Sequence, residues 1–184
     1  MYCGNCEKEA MLYYFYMMAD GEISTNEITI FNDICKELNI YNDSKNSIIN
    51  ECKEYLAKTK NVFSIIKDEN FDELLGRGWF GINDNSVRVR IIWNLINLGY
   101  ADAYFSEEEE KIVNYLSDKW SINSELYSEF IDTADTILAL TKQKDWLNST
   151  YFTNHKVEGK VDYIESEIKH LIKAVNVTIE EFSM

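Results

Sequence analysis

The sequence predicts an all-α protein: a single helical bundle of about eight helices with an internally duplicated helical hairpin. Its 184 residues contain no proline and only seven glycines, whereas the hairpins and bulges of β proteins depend on glycine. Apolar residues recur at helical spacing along most of the chain. In addition, the pattern Ala-Asp followed by Ser-x-x-Glu occurs at residues 19–27 and again at residues 101–109.

Four helices are predicted in the first half of the chain. Residues 9–19 are apolar on every side, which is typical of a helix buried in the middle of a bundle. The third helix begins at Asn42, residues 62–75 form a less regular fourth helix, and the glycine-rich loop 76–81 breaks the chain. The second helix begins at Ser24, and its predicted inward face consists of Ile28, Phe31, Ile34, Cys35 and Leu38.

The second half is predicted to contain four more helices. The segment 147–159 is irregular and polar, which indicates a loop. We assign residues 1–142 to the duplicated bundle and residues 143–184 to a C-terminal helical extension packed on the same domain. The four helices are expected over residues 83–99, 106–120, 124–141 and 160–176.

The charge of the chain restricts its partners. Thirty-two acidic and 18 basic side chains give a formal net charge of −14. Such a field repels nucleic acid and anionic membranes, and it attracts divalent cations or a basic surface on a protein partner. No stretch approaches the roughly 18–20 apolar residues of a membrane span, and no basic segment precedes the apolar run as in a signal peptide. The sequence predicts a cytoplasmic protein with a protein partner, and a homodimer is compatible with it.

The repeated motif carries a helix-capping signal. The two copies lie 82 residues apart, and in each a serine is followed three positions later by a glutamate, Ser24 with Glu27 and Ser106 with Glu109. In such a capping box the hydroxyl accepts the N–H of the glutamate, and the carboxylate accepts the N–H of the serine. Each cap stabilises its helix by about 0.5–2 kcal/mol. Capping does not account for the aspartate in each copy.

The same turn is similar to the second half of an EF-hand calcium loop, in which Asp-Gly is followed by an apolar residue and a later glutamate. An EF-hand needs further oxygen ligands two and four residues before that aspartate. Those positions hold Met18 and Tyr16 in the first copy, and Tyr100 and Leu98 in the second. These side chains are apolar or aromatic, so the EF-hand interpretation is rejected.

The two copies do resemble the tellurite-resistance TerB family, whose helical domains carry an acidic Ala-Asp-Gly-x-(apolar)-Ser-x-x-Glu turn in repeated form. The resemblance covers residues 10–40 and 92–122. It implies an all-helical bundle connected with bacterial metal-ion and stress responses, with acidic turn residues that are expected to bind metal. The second copy departs from the family pattern, because Ala103 replaces the glycine and Tyr104 replaces an acidic residue.

The resemblance also assigns candidate metal ligands by position. Their carboxylates are hard oxygen ligands that suit Ca²⁺, Mg²⁺ or Mn²⁺. We expect the duplication to bring the two turns together, so that a cation binds between them. The candidate ligands are Asp20, Glu22, Glu27, Asp102 and Glu109.

Most other polar features are interpreted as structural. The loop 76–81 lacks the Gly-Lys-Ser/Thr of a phosphate-binding loop. It is interpreted as a hinge pinned by Trp79 and Phe80, and the alternative is a partner-binding loop. His155 and His170 have no nucleophile or acid–base partner at a meaningful spacing. A solvated acidic face is expected from Glu107–Glu110, Glu125, Glu129, Asp132 and Asp135.

The cysteines give a weak metal signal. Cys3 and Cys6 have the spacing of half a zinc ribbon or of a redox pair. No second pair follows, and Cys35 and Cys52 lie on the inward stripes of predicted helices. Zinc binding is therefore disfavoured, and a frayed N-terminus is expected at Cys3 and Cys6 instead.

Three classes of function follow from these features. The leading interpretation is a non-enzymatic TerB-like module in bacterial metal or stress response that binds a divalent cation at its acidic turns. The alternative is an acidic helical interaction module, which includes an inhibitor that presents carboxylates to a basic partner surface. A metal-dependent hydrolase ranks third, because no catalytic dyad or nucleophile motif is present in the sequence.

Overall fold

The computed structural model describes residues 4–59, 61–67, 85–102, 105–149 and 155–182. In these ranges the chain forms eight α-helices and no strand, which confirms the predicted all-α class. Two sequence predictions fall wholly or partly outside the described residues. They are the end of the helix predicted over residues 62–75, from residue 68 onward, and the loop 76–81 with Trp79 and Phe80. The helices are α1 (Gly4–Met17), α2 (Thr25–Glu37), α3 (Asn42–Lys58), α4 (Val62–Lys67), α5 (Asn85–Gly99), α6 (Glu107–Lys119), α7 (Ser124–Ser149) and α8 (His155–Glu181).

Helix α1 lies at the centre of the bundle, as its uniformly apolar sequence predicts. Residues 10–17 are all buried, and α1 contacts α2, α3, α4, α5 and α6. Helix α5 is the second largely buried helix, with residues 91–96 all inside the protein. The other helices each pack one apolar face on this pair, so that a single hydrophobic core forms.

The duplication that the sequence predicts is present in the backbone. Helices α2 and α6 both end at a residue in the left-handed conformation, Asn39 with φ 58° and Ser121 with φ 54°, and these residues are 82 positions apart. The N–H groups of Ile40 and Ile122 then donate to carbonyls five residues earlier, at 2.8 Å and 2.9 Å. This is the closing bond of a Schellman motif, so both helices end in the same way.

The repeat is longer than the hairpin recognised in the sequence. Helices α3 and α7 also begin 82 residues apart, and they bury matching positions. Ile48 and Cys52 of α3 correspond to Phe130 and Ala134 of α7, and all four side chains are inside the core. Each repeat is therefore a unit of three helices, α1–α3 in the first half and α5–α7 in the second.

The C-terminal helices are longer than the sequence predicts. Helix α7 continues to Ser149 and α8 begins at His155. The prediction of a loop over residues 147–159 is therefore wrong for residues 147–149 and 155–159, which are helical. The end of α7 buries only Leu147, which leaves too few apolar positions for a visible helical period. Helix α8 packs on α5 and α7, and no helix in the described ranges is long and apolar enough to cross a membrane.

A buried polar network joins the two central helices. The Glu9 carboxylate of α1 accepts hydrogen bonds from the Tyr13 hydroxyl and from the Arg90 guanidinium of α5, both at 2.7 Å. The Asn94 amide of α5 donates to the Tyr13 hydroxyl at 3.0 Å. Because Glu9 is 3% exposed, its charge needs these partners. The network fixes α1 and α5 against each other, and it thereby positions the turn that follows each helix.

Candidate functional site: the paired acidic turns

Both predicted capping boxes are present. At the first turn, the Ser24 hydroxyl accepts the Glu27 N–H at 3.1 Å, and the Glu27 carboxylate accepts the Ser24 N–H at 2.8 Å. At the second, Ser106 and Glu109 make the same two bonds at 3.2 Å and 2.9 Å. In each glutamate the Oε2 atom accepts the capping bond, so the Oε1 atom takes no part in it.

The two capping glutamates are buried, which the sequence did not indicate. Glu27 is 4% exposed and Glu109 is 5% exposed. The prediction that Ile28 lies on the inward face of α2 is wrong, since Ile28 is 46% exposed and Glu27 takes the inward position beside it. The expectation of a solvated acidic face is likewise wrong for Glu109, whereas the other acidic residues assigned to that face are exposed.

The structure brings the two turns together, in agreement with the pairing expected from the duplication. The Asn26 amide of α2 donates to the Ala101 carbonyl of the second turn at 3.1 Å, across 75 residues of sequence. Asp102 of the second turn also acts electrostatically on Glu27 of the first repeat. The start of α2 therefore belongs to the same surface as the turn of the second repeat.

The pKa values of the two capping glutamates are raised. Burial raises the pKa of Glu109 to about 7, while the bonds from Ser106 lower it, and the nearby charges of Glu27 and Asp20 raise it further. Burial also raises the pKa of Glu27, against the lowering effect of Ser24 and together with the charges of Asp102 and Asp20. The paired turns thus bring several carboxyl groups together in a partly buried region, where their negative charges are poorly solvated.

A tyrosine hydroxyl lies inside this cluster. Tyr16 of α1 is completely buried, and its hydroxyl has no hydrogen-bond partner among the described residues. Burial first, and then the charges of Glu109 and Glu27, raise the pKa of Tyr16 well above its ordinary value, so the phenol stays protonated. A Cβ atom at Gly99 would lie 2.5 Å from this hydroxyl oxygen, so the glycine leaves the space that the hydroxyl occupies.

The aspartates of the motif lie at the edge of the cluster. Asp20 and Asp102 are exposed, and the Asp20 carboxylate accepts the N–H of Glu22, also exposed, at 3.1 Å. Gly21 between them has φ 94°, a conformation that glycine adopts without strain. Asp20 also lines a cavity of about 350 Å³, together with Glu108 and Lys111 of α6. Both aspartates can therefore be reached from solvent.

The five predicted ligands are thus only partly gathered. Glu27 and Glu109 lie in the interior. The charge of Asp20 raises the pKa of both, that of Asp102 raises the pKa of Glu27, and Glu22 is on the surface. In the described part of the chain, no three Asp, Glu, His or Cys side chains stand close enough to hold a metal ion. A cation would require the exposed aspartates to turn towards the buried carboxyls.

The cysteine and histidine features add no second site to the described structure. Cys6 is half-buried within α1, and Cys3 lies outside the described residues. Burial raises the pKa of the Cys35 thiol to about 11 and that of the Cys52 thiol to about 12, which makes both poor nucleophiles at neutral pH. His170 stands on α8, far along the chain from the paired turns.

Sequence reasoning missed Tyr16 and Asn26 as parts of this site. In the sequence Tyr16 lies in an apolar run and resembles an ordinary core residue. Asn26 lies inside the motif, but the equivalent position of the second copy is Glu108. Because the two copies differ at this position, the repeat does not mark Asn26 as a functional residue. The contact of Asn26 with Ala101 depends on how the two repeats pack, which a local pattern does not encode.

No family model, curated protein or solved structure matches the chain. The fold and the paired turns define an all-α bundle built from two three-helix repeats. The similarity to the TerB family rests on the turn motif and its repetition in the sequence.

We predict that the protein becomes less stable as the pH rises from about 4.5 to about 7. The carboxyl of Glu109 has a raised pKa in the folded state, so the folded chain binds a proton that the unfolded chain has lost in this interval. The stabilisation is complete below the ordinary pKa of 4.5 and is lost as the pH rises through the folded value. Urea unfolding at several pH values, with a chelator present, measures this slope.

The matched variants are Glu109→Gln and Glu108→Gln, which remove the same charge from a buried and an exposed position. Glu109→Gln keeps an oxygen for the Ser106 cap and is expected to flatten the pH dependence, whereas Glu108→Gln is expected to retain it. Equal slopes in the wild type and in Glu109→Gln would show that Glu109 does not carry the proton.

Proposed function

We propose that this protein is a non-enzymatic helical module that binds a divalent cation at its paired acidic turns, as the TerB resemblance implies, in a bacterial metal or stress response. The observation that carries the proposal is the meeting of Glu27 and Glu109 with the charges of Asp20 and Asp102. Helix caps alone do not require the two turns to meet. Two caps on opposite sides of the bundle would stabilise their helices equally well.

The electrostatics of the paired turns favour a cation. Burial and like charges both raise the pKa values of the capping glutamates, so the fully ionised cluster is costly. A bound divalent ion would compensate this charge, and the carboxylate oxygens suit Ca²⁺, Mg²⁺ or Mn²⁺ better than zinc. Asp20 and Asp102 are the exposed carboxylates of the cluster, so we assign them to the capture of the ion.

Isothermal titration calorimetry with Ca²⁺, Mg²⁺ and Mn²⁺ tests the proposal. We expect the wild-type protein to bind at least one of these ions with a dissociation constant below about 1 mM, the range of weak calcium modules. The double variant Asp20→Asn/Asp102→Asn is expected to lose at least tenfold in affinity, because it removes two charges from the ion's surroundings and keeps the shape of both side chains.

The control for this titration is Glu125→Gln/Glu129→Gln, which removes the same charge from the exposed face of α7. It is expected to bind the ion like the wild type. Absence of binding at millimolar ion would reject the cation site, and binding that survives the aspartate substitutions would place the ion elsewhere. An equal loss in both double variants would indicate attraction by the net charge rather than a site.

A second candidate function is supported by a groove between α7 and α8. The groove has a volume of about 560 Å³, and its lining includes Glu125, Glu129 and Asp132 beside Leu171. None of the described residues that line it is basic. The three carboxylates follow one another at helical spacing, so they form a stripe along α7. A basic segment of a protein partner has the complementary charge, which agrees with the net charge of −14.

A fluorescent ten-residue lysine peptide tests the groove by anisotropy. The triple variant Glu125→Gln/Glu129→Gln/Asp132→Asn is expected to weaken peptide binding at least fivefold at physiological salt. A control that removes three exposed charges from α6, Glu107→Gln/Glu108→Gln/Glu110→Gln, is expected to weaken it far less. Equal weakening in both variants would mean that the peptide responds only to net charge.

A further inference from the structure

A groove bounded by α2, α7 and the end of α5 lies beside the paired turns, and we call it the α2–α7 groove. It has a volume of about 320 Å³, and its lining includes the half-buried side chains of Ile30, Ile137 and Leu138. Asn26 and Ala101, which are joined by a hydrogen bond, line it as well. The groove therefore leaves an apolar surface partly open to solvent next to the second turn.

The first half of the protein contains the counterpart of this groove. There, the cavity of about 350 Å³ beside the first turn is lined by residues that lie 82 positions from residues of the α2–α7 groove. The lining residues Met18, Ala19, Glu108, Lys111 and Ile112 correspond to Tyr100, Ala101, Asn26, Thr29 and Ile30. The two sites are therefore one feature of the repeat that occurs twice.

In the first half, helix α4 occupies this site. It packs on α1 and α6, which are the counterparts of α5 and α2, and its residues Val62 and Phe63 line the remaining cavity. The Phe63 ring meets the Tyr115 ring of α6 edge-on, with centroids 5.8 Å apart. Ile65 and Ile66 of α4 are fully buried. A short amphipathic helix thus covers the first groove with branched and aromatic side chains.

The second half follows a different path at the point where α4 forms. After α3 the helix ends at Thr59, and α4 begins at Val62. The counterpart of Thr59 is Thr141, which lies inside α7, and the counterparts of α4, residues 144–149, continue that helix to its end. Because α7 does not break at this point, its end does not fold back over the α2–α7 groove as α4 does over the first one.

We infer that the α2–α7 groove binds a short amphipathic helix of a protein partner, in the place that α4 takes in the first half. Helices that bind in grooves anchor apolar side chains at positions i, i+3 and i+4. Helix α4 buries Val62, Ile65 and Ile66 at this spacing. Asp145 lines the groove and Asp102 is exposed in the adjoining turn, so a partner helix with basic residues on its polar face has the complementary charge.

A peptide with the α4 sequence is a suitable probe, because four residues that line the groove are identical at the equivalent positions of the first half. The identical pairs are Ile30 and Ile112, Ala101 and Ala19, Leu138 and Leu56, and Thr141 and Thr59. The probe is a fluorescein-labelled peptide of about 15 residues in which residues 61–67 stand between turns of alanine and lysine, since shorter peptides are seldom helical in water.

Fluorescence anisotropy at physiological salt measures binding of this probe to the full chain. The wild type is expected to bind it with a dissociation constant below about 1 mM. The variant Thr29→Trp is expected to bind it about tenfold more weakly, a change equal to the loss of one buried anchor. The reason is that Thr29 is exposed and lines the groove, so an indole at this position fills the space of the peptide.

The matched control is Thr136→Trp on α7. Both threonines are exposed, and each hydroxyl donates to the carbonyl four residues earlier, at 2.9 Å for Thr29 and 2.8 Å for Thr136, so both substitutions lose the same local bond. Thr136 lines the acidic groove between α7 and α8 instead. Its substitution is expected to leave the affinity for the probe within about twofold of the wild type.

A second peptide tests the apolar anchors on the unaltered protein. In it serine replaces the residues taken from Ile65 and Ile66, which keeps the charge of the probe, and we expect about tenfold weaker binding. Weakening by Thr136→Trp instead of Thr29→Trp would place the probe in the acidic groove and overturn the inference. Equal binding of the two peptides, or no binding of the probe by the wild type, would overturn it as well.

Discussion

Helix α1 is buried on every side, and this constraint organises the polar interior of the protein. The side chains of residues 9–17 on α1 cannot reach water, so each polar group among them must find a partner within the bundle or remain unpaired. Glu9 and Tyr13 find theirs on α5, which locks the two central helices together. Tyr16, near the end of the same helix, is buried without a described hydrogen-bond partner, and the charges of both capping glutamates raise the pKa of its hydroxyl.

The duplication explains how those two glutamates meet. Each repeat places its capped helix against the turn of the other, and equivalent residues lie 82 positions apart. The equivalence is not complete, because the Asn26 side chain donates to Ala101, whereas the carboxylate side chain of Glu108, its counterpart, has no N–H to offer to Ala19. The side of the first turn instead contains the cavity lined by Asp20 and Glu108. The two halves of the site are therefore chemically different, although they share one backbone design.

Much of the fold is predictable from local sequence signals. The capping boxes, the buried first helix and the repeat spacing depend on residues close in sequence, and each is found where the pattern indicates. The burial of Glu27 in place of Ile28 was not predictable, since it depends on the partner that α2 meets. The unpaired Tyr16 hydroxyl and the Asn26 contact arise from packing between the repeats, so no single segment encodes them.

The central claim is that the duplicated turns form one cation site around buried carboxyls. The most direct measurement is a crystal structure grown with Mn²⁺, with the ion located by its anomalous diffraction. We expect an anomalous peak between the two turns, with Asp20 or Asp102 and at least one of Glu27 and Glu109 as ligands. A peak elsewhere on the acidic surface, or a Mn²⁺-soaked protein with no peak at the turns, would contradict it.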